Sequence, residues 1–447
     1  MDRVVGGLGR KLQALALPVL ILVAGTAPAS AQTSPPRYSI VELAGIPQRL
    51  NNNGQIAGWV FVGPNAHAAI YSNGIWQDLG VPPGDQLSAL FGINSFGAAV
   101  GYSFVSLPGP DNRWQAISVP AGATSVQPLT VIAPDSFAYA INDTGAVVGC
   151  LNRYDDMFPD PHRAFLYANG SLTDLHALLA THPLDFTCAR DVNNAGVVVG
   201  EIQSLITPQR GFLYRNGSVT LLAQSSAAYL SNAKAISNAG RIVGEGRLPG
   251  FTADHALAYD VATGAITSLG VETTGAFNSR PNDVNTLGNV VGTMFLGVGE
   301  HAFLASAGSV YNLNDLIPAG DWVVQEAFSI NDGGQIVGRG YRLSSPTVTR
   351  YFLMEATAPE LAIANLITQV RALQAQSFLG KGDATALLAM LNAADRQLRT
   401  TGAGGAAHSL ELFVQHLDIV MRTGRLSPTE GQPVIDEANR IIGVLTS

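Results

Sequence analysis

The sequence predicts a mainly β protein, a seven-bladed β-propeller of four-stranded antiparallel blades closed by an N-terminal strand, followed by a small all-α helical bundle. Three observations carry this. One motif recurs seven times at blade-like spacing. Each copy resolves into four short strands separated by glycine turns. From Pro359 onward the apolar spacing changes from strand-like to helical.

The motif is an aliphatic residue, Asn, two variable residues, Gly, three small or apolar residues, and a second Gly. It occurs at Asn51, Asn94, Asn142, Asn193, Ser237, Asn285 and Asn331, with only Ser237 departing from Asn. Successive first glycines (Gly54, Gly97, Gly145, Gly196, Gly240, Gly288, Gly334) lie 43, 48, 51, 44, 48 and 46 residues apart. That period exceeds the leucine-rich and ankyrin units and matches propeller blades; a β-solenoid, the competing architecture, uses shorter coils.

Within each unit strand one ends at the Asn. The Asn-x-x-Gly piece forms a tight turn, because Asn bonds its own backbone and Gly tolerates positive φ. Strand two is the β-branched run before the second Gly, as in Val197-Val198-Val199. Strand three reads His67-Ala68-Ala69-Ile70-Tyr71 or Arg163-Ala164-Phe165-Leu166-Tyr167, followed by Asn73-Gly74 or Asn169-Gly170 turns and a short strand four. The seventh unit runs from Tyr351–Met354 into helix without a fourth strand. Tyr38–Leu43, which precedes the first unit, has the fourth-strand pattern and is expected to complete the last blade.

These residues resemble the HAF repeat, named for a bacterial extracellular repeat, over about residues 38 to 356; His301-Ala302-Phe303 reproduces the name. The resemblance implies an exported repeat protein and assigns no activity. Beyond Pro359 four helices are expected, near 360–378, 383–400, 406–423 and 428–446. Leu410, Phe413, Leu417 and Val420 share one helical face, and Ser427-Pro428-Thr429-Glu430 forms a capping box. The stretch from Leu412 to Ile442 resembles the FIMAH domain of secreted bacterial proteins, which implies an accessory interaction module without catalytic residues. The expected domains are a signal peptide over 1–31, the propeller over 32–357 and the helical domain over 358–447.

Arg3, Arg10 and Lys11, the apolar run Ala14–Val23 and the small residues Ala29-Ser30-Ala31 form a secretory signal pattern. A retained membrane anchor is the competing reading, weakened by Pro18 within an already short run. The protein is therefore expected to be secreted or periplasmic, with no transmembrane segment after signal removal. Charged residues make up 13% of the chain and its net charge is −8, which disfavours nucleic acid as a partner.

Long loops of an up-and-down blade share the face opposite the glycine turns, and recognition is expected there. Six residues before the first glycines stand Gln48, Phe91, Tyr139, Arg190, Lys234, Asn282 and Phe328. Just after the second glycines stand Trp59, Tyr102, Cys150, Glu201, Glu245, Thr293 and Arg339. Positions that vary on a regular frame suit a binding surface. Trp59, Phe91, Tyr102, Tyr139, Arg190, Glu201, Lys234, Glu245, Phe328 and Arg339 are its candidate residues, with ordinary strand-end roles as the alternative.

Cys150 and Cys188 fall near one face of adjacent blades, so an inter-blade disulfide is expected, with two buried thiols as the alternative. The loop Asn152–Pro161 is acidic and aromatic but lacks calcium-loop spacing. His67, His162, His255 and His301 each open a third strand in a different blade, which predicts structural roles and no metal.

No cofactor is expected. The leading functional expectation is a non-catalytic binding protein for an extracellular carbohydrate or protein. The alternatives are a glycan hydrolase or lyase using Glu201 and Glu245 with Arg190 and Lys234, and a structural surface component. No nucleophile elbow, phosphate loop or metal motif accompanies the carboxylates.

Overall fold

The computed structural model describes residues 38–447 apart from 106–112, 133–134, 152–153, 156–157, 160–161, 180–181, 183–184, 205–207, 226–227, 319, 357–358, 401 and 447. The expected signal peptide lies outside the described residues. So does much of the loop 152–161, of which only Tyr154–Asp155 and Phe158–Pro159 are described, as a paired hairpin.

Seven antiparallel sheets follow one another along the chain. Blade one is Ile46–Leu50, Ile56–Val62, Asn65–Ser72 and Ile75–Asp78, and blade two is Leu87–Ile93, Ala99–Val105, Arg113–Val119 and Gln127–Pro128. Blade three is Ser136–Ile141, Val147–Leu151, Arg163–Ala168 and Ser171–Asp174. Blade four is Phe186–Val192, Val198–Gln203, Arg210–Arg215 and Ser218–Leu221. Blade five has a broken first strand, Ala228–Leu230 and Ala235–Ile236, before Arg241–Arg247, His255–Asp260 and Ile266–Ser268. Blade six is Asn278–Val284, Val290–Leu296, Gly299–Ser306 and Ser309–Asn312.

Blade seven takes Trp322–Ile330, Ile336–Arg342 and Ser345–Ala356 from the end of the repeat region, and its fourth strand is Tyr38–Leu43. The pairing runs from Tyr38↔Ala356 to Leu43↔Tyr351. The expected clasp is therefore present. Tyr38 is fully buried, and its N–H donates to the Leu316 carbonyl.

Each first strand contacts the first strand of the next blade around the whole circle. The apolar core is divided in the same way, with a separate buried cluster in each of the seven seams between blades. A sheet with both faces buried needs a partner on each face, and radial repetition supplies one without leaving long open edges.

The motif residues explain this geometry. Every first glycine has positive φ, from +73° to +83°. The second glycine answers a different need. A Cβ at any of the seven would lie 1.9–2.0 Å from a backbone carbonyl of its own blade's first strand or, in blade five, of the break in it, such as that of Phe137 opposite Gly149. In blades three, four, six and seven the same absence makes room for the paired third-strand phenylalanine: Phe165, Phe212, Phe303 and Phe352, all fully buried. This accounts physically for the Phe of the His-Ala-Phe pattern.

The Asn does more than shape its turn. Its Oδ1 accepts from the backbone N–H four residues on, and in blades one to four also from the N–H two residues on. Its Nδ2 donates to the backbone carbonyl of the motif residue in the next blade. Six links form at 2.8–3.2 Å, from Asn51→Asn94 round to Asn331→Asn51. The missing seventh is at Ser237, whose hydroxyl accepts from the Arg241 N–H instead.

The helical region comprises Pro359–Ala375, Lys381–Thr400, Ala403–Arg422 and Pro428–Thr446 around one buried cluster. Leu410, Phe413, Leu417 and Val420 are fully buried in it, as the spacing predicts. The two hairpins match: Ser377 and Gly424 take positive φ at equivalent turn positions, and Leu379 and Leu426 are buried two residues later. Among the described residues no helix is long and apolar enough to cross a membrane.

Candidate functional site

The site begins with an irregularity of strand one. In every blade but the fifth, its pairing with strand two slips by one residue three positions before the motif Asn. The extra residue of each bulge is Gln48, Phe91, Tyr139, Arg190, Asn282 or Phe328, with Lys234 at the break in blade five. Bulges of this kind re-aim side chains. Two concentric sets of groups result.

The residues just after the bulge face the axis. Arg49 of blade one spans it, with Nη2 3.0 Å from Asp191 Oδ2 in blade four and Nη1 3.3 Å from Asp283 Oδ1 in blade six. Asp283 also accepts from the Ser329 hydroxyl at 2.6 Å and the Ile330 N–H at 3.0 Å, and Asp191 from the Ile236 N–H at 2.9 Å. Burial pushes the Asp283 carboxyl above its ordinary range, opposed by Arg49 and Ser329. Burial works against the Arg49 charge, but the two carboxylates outweigh it and hold the guanidinium protonated.

Beside this plug, toward the Asn turns, a cavity of about 120 Å³ is lined by all seven blades. Its rim includes Asn52, Asp143, Asn194 and Asp332, which bond one another or neighbouring backbone N–H groups.

The second set comprises the bulge residues and the residues just after the second glycines. Within a blade these two positions touch. Phe91 stacks on Tyr102 at 5.0 Å, Arg190 pairs with Glu201, and Lys234 Nζ lies 3.6 Å from Glu245.

In blades one to three four of the six members are aromatic, the others being Gln48 and Cys150. Trp59 lies 5.9 Å from Phe91, and Tyr139 meets Phe91 edge-on at 6.0 Å. Phe104, Trp114 and Phe137 continue the group, with Tyr102–Trp114 at 5.0 Å, Tyr102–Phe137 at 5.1 Å and Phe104–Trp114 at 4.6 Å. All seven rings are half-buried. Burial, assisted by Tyr139, raises the Tyr102 hydroxyl above its ordinary value.

In blades four to seven the charged members of the set form ion pairs, and Asn282, Thr293 and Phe328 are its uncharged members. Glu201, only 5% exposed, is held by Arg190 and by Gln209 at 3.0 Å, and the Arg190 guanidinium lies 4.9 Å over the Tyr139 ring. Glu245 faces both Lys234 and Arg280 at 3.6 Å. Arg339 joins Glu326 at 2.8 Å and Glu300 at 3.1 Å, while Asn282 donates to Glu326. Both glutamates of the acid/base alternative are thus engaged with cations.

Of the ten candidate residues, Trp59, Phe91, Tyr102 and Tyr139 come together in one aromatic group. Arg190 and Glu201 border it. Lys234, Glu245 and Arg339 belong to separate ion pairs, and Phe328 makes no ring–ring contact among the described residues. Sequence reasoning missed Phe104, Trp114 and Phe137 and the Arg49 plug. A clue existed in the position two before each Asn, where small residues alternate with Arg49, Asp191 and Asp283.

Cys150 and Cys188 are joined as a disulfide between blades three and four, Cα atoms 5.1 Å apart. The four histidines remain in separate surroundings. His67 meets Asp78 of its own blade at 3.1 Å, and His301 meets Asn312 and Asn314. Among the described residues no group of three or more potential ligands could hold a metal ion.

No curated protein matches the chain. Among solved structures it is similar to the β-propeller domain of the trilobed protease from Pyrococcus furiosus, at 7% identity and TM-score 0.46, covering 71% of this chain and 93% of that one. It is also similar to the acylaminoacyl peptidase of Pyrococcus horikoshii, at 13% identity and TM-score 0.43, covering 69% of this chain. The chain spans about half of that peptidase (49%). Likenesses at this level bear on no activity. Residues 87–224, which run from the first strand of blade two through blade four, match the family described as "Protein of unknown function (DUF3466)".

Proposed function

We propose that the chain is an exported, non-catalytic binding protein that engages an extracellular carbohydrate or protein through the loop side of its propeller. The observation that carries this reading is the half-buried group of seven aromatic rings on blades one to three, held on a closed, repetitive frame. A monomeric fold keeps its large rings inside where packing alone governs; rings left partly open beside polar groups suit recognition. Export is supported by the signal pattern, by the HAF-like repeat and by the disulfide, since such bonds persist in oxidising compartments. The FIMAH-like helices would act as an accessory docking module.

The test is retention of the immobilised protein's partners from cell-surface and extracellular material, compared between the native chain and a Trp59→Ala/Phe91→Ala variant. Loss of retained material in a variant that melts like the parent supports the reading. Identical retention by both overturns it.

A further inference from the structure

The two ends of the propeller differ in what their hairpin tips expose. At the end carrying the motif turns, the tips between strands three and four use Asn-Gly, Thr-Gly and Ala-Gly pairs. Among the described residues, Phe96 is the single large apolar side chain exposed in a turn of that end. At the loop end, the hairpins between strands two and three are described throughout in blades one, five, six and seven. All four expose large apolar side chains at or beside the tip: Phe61 and Val62, Phe251, Val298 and Leu343.

Val298 and Leu343 stand in two-residue loops, between the paired ends Leu296↔Gly299 and Arg342↔Ser345, where turn geometry favours Gly, Asn or Asp. They are 84% and 60% exposed, so neither packing nor turn chemistry accounts for them. One exposed apolar residue needs no explanation; the same feature at each of these four tips does.

The flanking chain joins the ring elsewhere. Tyr38 enters it opposite Ala356, and the first helix starts at Pro359, so both flanking segments meet the propeller at the motif-turn end. A protein partner fits the tips poorly. Protein interfaces enclose an apolar core within a polar rim. In blades five to seven the order is reversed, with Lys234, Glu245, Arg280, Glu326 and Arg339 toward the axis and the tips outside them.

A lipid surface takes up separated side chains one at a time, each gaining by its own burial. Charges of both signs also stand at the base of the tips. Arg247 meets Asp254 at 3.0 Å by Phe251, and Arg339 meets Glu300 at 3.1 Å by Val298. Arg342 precedes Leu343, and the Asp321 carboxylate accepts from the Ser344 N–H of the same turn at 2.8 Å. A zwitterionic headgroup layer presents phosphate and ammonium together and complements such mixed charge. An anionic layer would meet carboxylates as often as guanidiniums.

We infer that the loop end of blades one and five to seven docks on a zwitterionic phospholipid bilayer, with Phe61, Phe251, Val298 and Leu343 entering the headgroup boundary. This goes beyond the binding reading above, and the tips share no residue with its seven rings.

The experiment is co-flotation of the full chain with phosphatidylcholine vesicles, alone and with admixed phosphatidylglycerol. The native chain is expected to float with phosphatidylcholine about equally at low and high salt. Val298→Asn and Leu343→Asn should each weaken partition about tenfold, the worth of burying one branched aliphatic side chain, and the double variant more. Both substitutions suit a turn, so these variants should melt like the parent. All variants keep the apolar run Ala14–Val23, so that run cannot produce the difference. Phe96→Asn, at the opposite end, should float like the parent, and so should the Trp59→Ala/Phe91→Ala variant, which separates this inference from the binding reading.

No flotation of the native chain, flotation that survives the double substitution, an equal loss in Phe96→Asn, or flotation that needs phosphatidylglycerol and disappears in salt would each overturn the inference. Capture of a protein that depends on Val298 and Leu343, without flotation, would assign the tips to a protein partner instead.

Discussion

The two halves of the ring use one frame to opposite chemical ends. The slot between the residue after the second glycine and the strand-one residue of the next blade shows this best. Tyr102 and Phe137 fill it with rings between blades two and three, Cys150 and Cys188 with a disulfide between three and four, and Glu245 and Arg280 with an ion pair between five and six. The first two slots lie beside the same Asn link, which the third lacks because Ser237 stands there, and all three share the same glycine approach. Blade architecture therefore does not depend on what occupies the slot, which leaves that position free to specialise.

This contrast can be broken or sharpened by substitution, because frame changes should destabilise either half alike and slot changes should not. The largest effect is expected from deleting Tyr38–Leu43. Blade seven would lose its outer strand and the buried Tyr38, and cooperative thermal unfolding followed by circular dichroism should give way to a broad, early transition. A variant that melts like the parent would show that the ring does not need its clasp.

Next is Arg49→Leu, which strands Asp191 and Asp283 without their cation. Breaking a buried pair from one side costs about 3–5 kcal/mol, read here by denaturant unfolding at pH 7. The sign of the pH effect follows from Asp283. Its native carboxyl already binds protons more tightly than an unfolded one, so its contribution to stability is present at low pH and is lost as pH rises through the raised native value. Removing Arg49 raises that value further. The variant's deficit should shrink on acidification below neutrality, and a pH-independent deficit would contradict the plug.

Asn142→Ala and Asn285→Ala should cost similar amounts, about 1–3 kcal/mol each, although one lies on the aromatic side and the other on the ionic side. Unequal losses would mean that the halves differ in frame as well as in slot. At the slots themselves, Tyr102→Ala should cost about 2–3 kcal/mol through lost ring packing, whereas Glu245→Gln should change stability by less than about 1 kcal/mol, since its partners stand at 3.6 Å and are half-exposed. Chemical denaturation of the pair would expose any reversal.

The smallest effect is a gain. Ala307 holds φ +49° in the turn where blades one, three and four use Asn73, Asn169 and Asn216, so Ala307→Asn should stabilise by about 0.5–1 kcal/mol. A lower melting temperature would show that this turn is held by something other than local backbone preference.

Much of this was legible from residue order. The phase of all seven blades, the Asn-Gly turns, the clasp at Tyr38–Leu43 and the helical face of Leu410, Phe413, Leu417 and Val420 depend on local periodicity and turn chemistry, which a chain displays in its own succession. The binding-site candidates were legible only in part. Phe91 and Tyr102 share a blade, so aligning the repeats brought them together, but Phe137 reaches them across a seam and has no repeated signature.

Arg49 and Asp191 are 142 positions apart and meet only because strand-one bulges aim both at a common axis. Spacing along the chain determined that there would be seven blades and where each would turn. The closed ring alone decided which side chains share the axis and which share a seam, because those contacts follow from a rotation between sheets and a one-residue slip in register, and neither has a counterpart in the order of amino acids.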